Sequence, residues 1–273
     1  MHADATLLLG VDFTSAPSRS KPITVARGRL AGGVLHFQGL DEIVRLQGFE
    51  DLLAQPGPWL GAFDFPFGLP RAFVDSLDLG TDIAQVVAEL HRRCPTRMDF
   101  RALVDAWGST RPAGQRLVHR ATDLSLPGLR STSPLQTRYV PVGFMFYEGL
   151  SRLVRAGVTL PRLLAGDPAR VAVEGYPGLL AHELVGGRSY KNHDGADRLI
   201  ARKDILEALE QGRTRLALRV KLSHAQRDHL VDDSSGDRLD ALLCLVQAAW
   251  AVQRPAGGLP AGVDPVEGWI ATA

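Results

Sequence analysis

The sequence predicts an α/β fold: a mixed five-stranded sheet flanked by helices and carrying a helical and loop insertion. Three observations carry that expectation. Short, nearly uninterrupted apolar runs at 6–14, 59–65 and 171–178 read as buried strands. Two further strand-like runs flank Ala31-Gly32-Gly33, a hairpin signal. Later segments carry apolar residues at helical spacing. Hairpin first and βα units afterwards imply a sheet that is antiparallel at one side and parallel elsewhere.

Taken in order, TLLLGVDFT gives the first strand, ending at Asp12, and KPITVARGRL with VLHFQGL gives the hairpin. DEIVRLQGFEDLLA (41–54) spaces Ile43, Val44, Leu46, Leu52 and Leu53 as a helix with Asp41 as its N-cap. WLGAFDFPFGLP is the next buried strand, stopped by Pro66. Helices are expected at about 70–78, 81–93 and 97–107. Residues 108–141, rich in Gly, Pro, Ser, Thr and Arg, read as a long loop of the kind that is often functional. A helix at 142–156, a strand within VAVEGYPG, and helices at 194–211, 223–233 and 237–253 complete the pattern. The expected organisation is one domain over 1–255, with its insertion at about 80–140, and a C-terminal surface tail over 256–273.

The chain has 273 residues, 45% apolar and 22% charged, which excludes disordered and fibrous classes. No apolar run reaches 18 residues, and Asp4 and Asp12 interrupt the N-terminal stretch. No membrane span or secretory signal is expected. Cys94 and Cys244 lie far apart with no CxxC, so neither a disulfide framework nor a cysteine zinc site is expected, and the cytoplasm is the default location. The net charge of +1 hides an uneven distribution. Segments 91–138 and 188–221 carry +6 and +4, leaving −9 for the remainder. An acidic body with two basic segments suits a phosphorylated partner, although solvated helix faces account for the same pattern.

Three apolar runs end in a carboxylate: Asp12, Asp64 and Glu174. Ligands of open α/β sheets bind outside the carboxyl ends of parallel strands. Acids gathered there are costly unless a cation or protons neutralise them. The helix DRLDALLCLVQAAW adds Asp237, Asp240, Cys244 and Gln247 on one face at spacings of three and four. Asp237 also suits an N-cap, whereas Asp240 stands among leucines, where it needs a partner. Hard oxygen donors without a cysteine-histidine set favour Mg²⁺ or Mn²⁺ on Asp12, Asp64, Asp237 and Asp240. Two cations about 3.5–4 Å apart would activate water for phosphodiester hydrolysis.

The order strand-Asp, hairpin, helix, strand-Asp and late helix with Asp-x-x-Asp resembles the ribonuclease H-like fold. DRLDALL looks like the last catalytic helix of Holliday-junction resolvases within that superfamily. The motifs GVDFTSAP, FDFPFGLP, SPLQTRYVPVG, EGYPG, RSYKN and DRLDALLCLVQAAW are similar to the family known as domain of unknown function 429, described as predicted nucleases. The resemblance spans Gly10 to about Trp250. It implies that Asp12 is the central metal bridge, that Asp64 ends the fourth strand, and that Asp240, with Asp237 beside it, comes from the last helix. Glu174 lies in the family motif, but an acid on the fifth strand is not standard in resolvases or ribonucleases H.

Other candidates surround these acids. Thr14 and Ser15 would hydrogen-bond a phosphate, or only their own turn. Lys191 would neutralise developing phosphate charge. Arg138, Tyr139 and Tyr176 would bind substrate through a guanidinium or a ring, or else only shape the chain locally. The expected function is a metal-dependent phosphodiester hydrolase, most simply a nuclease, acting on nucleic acid or a phosphorylated small molecule; a homodimer would suit a junction substrate. The alternatives are a non-catalytic nucleic-acid or nucleotide-binding protein, which would bind salt-sensitively without turnover, and an ATP-using phosphotransferase. The latter expects a glycine after the first-strand Asp, where Phe13 stands.

Overall fold

A computed structural model of the chain describes residues 6–125, 128 and 131–273. Residues 1–5, at the start that argued against a secretory signal, and residues 126, 127, 129 and 130 of the long loop lie outside the described residues. The elements run β1 (Leu7–Asp12), β2 (Ile23–Ala31), β3 (Val34–Ile43), α1 (Leu46–Leu53), β4 (Trp59–Phe63), α2 (Arg71–Ser76), α3 (Ile83–Arg93), α4 (Arg97–Ser109) and α5 (Ala121–Leu124). They continue through α6 (Val142–Arg155), β5 (Val158–Thr159), β6 (Asp167–Glu174), α7 (Pro177–Val185), α8 (Ala196–Gln211), β7 (Arg219–Lys221), α9 (His224–Val231) and α10 (Asp237–Ala251).

Among the described residues the sheet has seven strands, not five, in the order β5-β6-β4-β1-β2-β3-β7. Only β2 runs against its neighbours. The two strands missing from the sequence reading are the edge strands β5 and β7, of two and three residues, too short to show a periodicity.

Alternation along the strands builds two cores. Leu8, Ala26, Leu60, Ala62, Val171 and Val173 face α7, α8 and α10. Leu9, Val11, Val25, Trp59, Phe63 and Ala172 face α1, α3, α4 and α6. Helix α10 is apolar nearly all round because it lies within its layer rather than on it. Among the described residues no helix is long and apolar enough to cross a membrane.

Two expectations are corrected. The helix expected from Asp41 begins at Leu46, and Asp41 lies in β3 opposite Val25, its carboxylate held by Arg27. Hairpin pairing with β2 extends to Ile43, and it overrides the weak helical spacing at Ile43 and Val44. The expected surface tail is instead docked: Val266, Ile270 and Ala271 are buried. The short β5 pairs no further along β6 than Val171. The backbone at Glu174 therefore remains open on that side, and Ala271 donates its N–H to the Glu174 carbonyl at 2.9 Å. The long loop is anchored in the same way, through buried Arg120, Thr122, Asp123, Ser131 and Ser133.

Candidate active site

Register decides which acids meet. In the parallel pair β1–β4, Val11 matches Phe63, and the Asp64 N–H continues the ladder to the Val11 carbonyl at 2.9 Å. Asp12 and Asp64 therefore occupy equivalent positions on adjacent strand ends, on the sheet face covered by α10. In β4–β6, however, Phe63 matches Glu174. That offset of one residue turns Glu174 to the opposite face.

Helix α10 supplies the third acid. It can lie against β1 because position 10 is glycine; a Cβ there would stand 2.1 Å from the Ala241 carbonyl oxygen and from the Leu245 nitrogen. Asp237 and Asp240 fall in its first turn, where the helix dipole favours negative charge. The N-cap is Gly236 at φ +82°, not Asp237. Gly236 also lets Lys191 approach, since a Cβ there would lie 2.5 Å from the Lys191 Cβ.

Asp240 is buried and doubly held. Its Oδ1 accepts a short hydrogen bond from the Tyr190 hydroxyl, and its Oδ2 accepts from Lys191 Nζ at 2.5 Å. Buried Arg202 donates to the Tyr190 carbonyl at 2.8 Å and steadies this segment. Asp237 pairs with Lys21 at 3.2 Å near the surface. Among the described residues, no side chain or backbone group donates a hydrogen bond to the Asp12 or Asp64 carboxylate.

The electrostatics follow from this arrangement. Burial, then the charges of Asp240, Asp237 and Asp64, push the Asp12 carboxyl well above its ordinary range, against the pull of Lys191. Burial, then Asp240, raises Asp64 to about 7. Burial opposes the charge on Lys191, but Asp240, Asp64 and Asp12 outweigh it and hold the ammonium above its usual pKa. Tyr176 is pushed to about 12 by burial first and then by Asp64. Once its acids are ionised, the cluster carries more negative charge than Lys191 neutralises.

Glu174 belongs to a different network. Arg120 grips it with two bonds of 2.6 and 2.8 Å, Phe67 N–H adds a third at 2.9 Å, and Arg120 also pairs with Asp123 at 2.9 Å. Burial disfavours the guanidinium charge, yet Glu174 and Asp123 hold its pKa above the ordinary value. This network fastens the insertion and C-terminus to the sheet, so Glu174 is accounted for by structure rather than by chemistry.

A cavity of about 400 Å³ opens beside Asp64, and Glu174, Tyr176 and Lys191 also border it. Thr14 and Ser15 do not line it; Ser15 is buried, and its carbonyl accepts from Arg97. Arg138 pairs with Asp105 at 2.6 Å, and Tyr139 is 99% exposed at φ +56°. Both border a separate hollow, so the structure does not bring them to the acids.

Tyr190, Arg120 and Lys21 were missed by sequence reasoning. Tyr190 was within reach of it, standing beside Lys191 in RSYKN. Arg120 had no sequence signal, because nothing local marks which arginine of a basic loop is buried.

Among the described residues no group of three or more His, Cys, Asp or Glu side chains stands ready to hold a metal ion. The donor chemistry still suits Mg²⁺ or Mn²⁺: two neighbouring carboxylates without donors match a cation that takes one or two protein carboxylates and fills its other positions with water and substrate oxygens. No family model, no curated protein and no solved structure matches the chain.

Proposed function

We propose that the protein is a divalent-cation-dependent phosphodiester hydrolase of nuclease type, on a ribonuclease H-like scaffold. The observation that carries this reading is the pair Asp12 and Asp64, in register on adjacent strand ends, unpartnered, and crowded by a third acid. Such an arrangement costs stability and is explained by a cationic ligand. Asp12 and Asp64 would hold the ion, with Asp240 behind them. A bound Mg²⁺ or Mn²⁺ supplies an acidified water and neutralises phosphate charge.

The chain's own groups do the rest. In hydrolysis a water oxygen bonds to phosphorus, the ester P–O bond breaks, and the departing oxygen takes a proton. Lys191, kept protonated by Asp240, is a fixed positive charge for the phosphate oxygens rather than a proton donor. Tyr190 and Arg202 fix Asp240, and through it Lys191. The expected setting is the cytoplasm, which suits two buried free thiols, Cys94 and Cys244.

The test is Mn²⁺-dependent cleavage of single-stranded DNA, single-stranded RNA and a small phosphodiester. Wild type is expected to cleave at least one of them, and Asp12→Asn and Asp64→Asn to lose that activity. Unchanged cleavage by both variants would refute the assignment. One observation favours a second reading, a nucleic-acid or nucleotide-binding protein without turnover: Lys191 already occupies Asp240. Salt-sensitive binding with no cleavage in any metal would select it.

A further inference from the structure

The cavity beside Asp64 takes its lining from the end of β4, the insertion, the start of α6, the segment from β6 to Lys191, and Ile270. Its volume of about 400 Å³ lies in the range of small-molecule sites, which enclose a ligand rather than cradle a duplex. Its lining is mainly apolar, with charged groups among it. Asp64 and Lys191 tie it to the acid cluster, and Arg188 adds a second cation, itself paired with Asp204 at 2.8 Å. Val142 and Met145, from the start of α6, form an apolar wall. Tyr176 offers a ring packed against Gly178, where a Cβ would lie 3.1 Å from it. Charged groups, an aromatic ring and an apolar wall lining one cavity match a ligand with one phosphate and one planar base.

Resting on the hydrolase reading, we propose that this cavity seats a single nucleotide unit, with its phosphate toward Asp64 and Lys191 and its base between Tyr176 and the Val142–Met145 wall. The substrate is then a nucleotide-sized phosphodiester or the free end of a single strand, not a duplex.

The test measures binding of adenosine 5′-monophosphate and ribose 5-phosphate, in the presence of Mn²⁺, to wild type, Met145→Trp and Val142→Trp. Both substitutions fill the cavity from partly exposed positions and leave Asp12 and Asp64 untouched; circular dichroism verifies folding, and either folded variant suffices. Wild type is expected to bind the nucleotide at least tenfold more tightly than the sugar phosphate. The filled variants are expected to lose that preference while binding Mn²⁺ as wild type does. A 20-base-pair blunt duplex should fail to displace the nucleotide. Equal affinity for the two ligands, undiminished nucleotide binding in a folded filled variant, or displacement by the duplex would each overturn the proposal. Nucleotide binding that survives in a protein showing neither Mn²⁺ binding nor cleavage would overturn the hydrolase instead and leave the pocket assignment standing.

Discussion

Replacing Asp64 by Asn should stabilise the metal-free protein at alkaline pH, and the sign follows from the site. In the folded chain Asp64 keeps its proton up to about pH 7, against an ordinary value of 3.8. As pH rises from about 4 to about 7, the unfolded chain releases that proton and the folded chain does not, so wild-type stability falls across this window and stays low above it. At about 1.36 kcal/mol per tenfold change, the full effect is about 4 kcal/mol. Water reaching the partly exposed carboxylate lowers it to about 2 kcal/mol. For a chain of 273 residues that is a difference of about 4 °C in Tm. Thermal melts in EDTA should therefore show Asp64→Asn and wild type nearly equal at pH 4.5, with the variant ahead at pH 8. Adding Mn²⁺ at pH 8 should raise the wild type and leave the variant unmoved, closing the gap. A difference that does not change with pH, or a wild type that melts higher at pH 8 without metal, would refute the reasoning.

Three further outcomes are expected. Glu174→Gln should cost about 3 kcal/mol in urea denaturation, because it leaves the Arg120 charge buried and short of a partner; a loss near zero would contradict its structural role. Lys191→Met should tighten Mn²⁺ binding about tenfold by removing a competing cation, while slowing cleavage about a hundredfold, a divergence that isothermal titration and kinetics would separate. Gly10→Ala should destabilise the fold by about 3 kcal/mol or more, since the added methyl meets the α10 backbone; a thermal melt like that of wild type would show that α10 does not press on β1 as described.

The sequence made most of the architecture legible where periodicity was long and unbroken. The runs around Asp12 and Asp64, the hairpin, and α10 were all placed. It could not reveal β5 and β7, which are too short, or the docking of Ile270 and Ala271, which depends on an open stretch of β6. At the site, strand-end position pointed to Asp12 and Asp64, which the register sets side by side, and burial among leucines demanded a partner for Asp240, which Tyr190 and Lys191 supply. Convergence of Glu174 came only in part: it borders the same cavity as Asp64, but its carboxylate is held by Arg120. Three strand-end acids look alike in sequence, but a register offset of one residue between β4 and β6 sends Glu174 to the other face. Arg138 and Tyr139, which residue type and the motif SPLQTRYVPVG suggest, border a separate hollow, where Arg138 pairs with Asp105 and Tyr139 is exposed.

The most direct test of the central claim is calorimetric titration of Mn²⁺ into wild type and Asp12→Asn at pH 8, where Asp64 is ionised. The account predicts micromolar to submillimolar binding to wild type that Asp12→Asn abolishes. Binding that survives the substitution, or no binding to wild type, would contradict it.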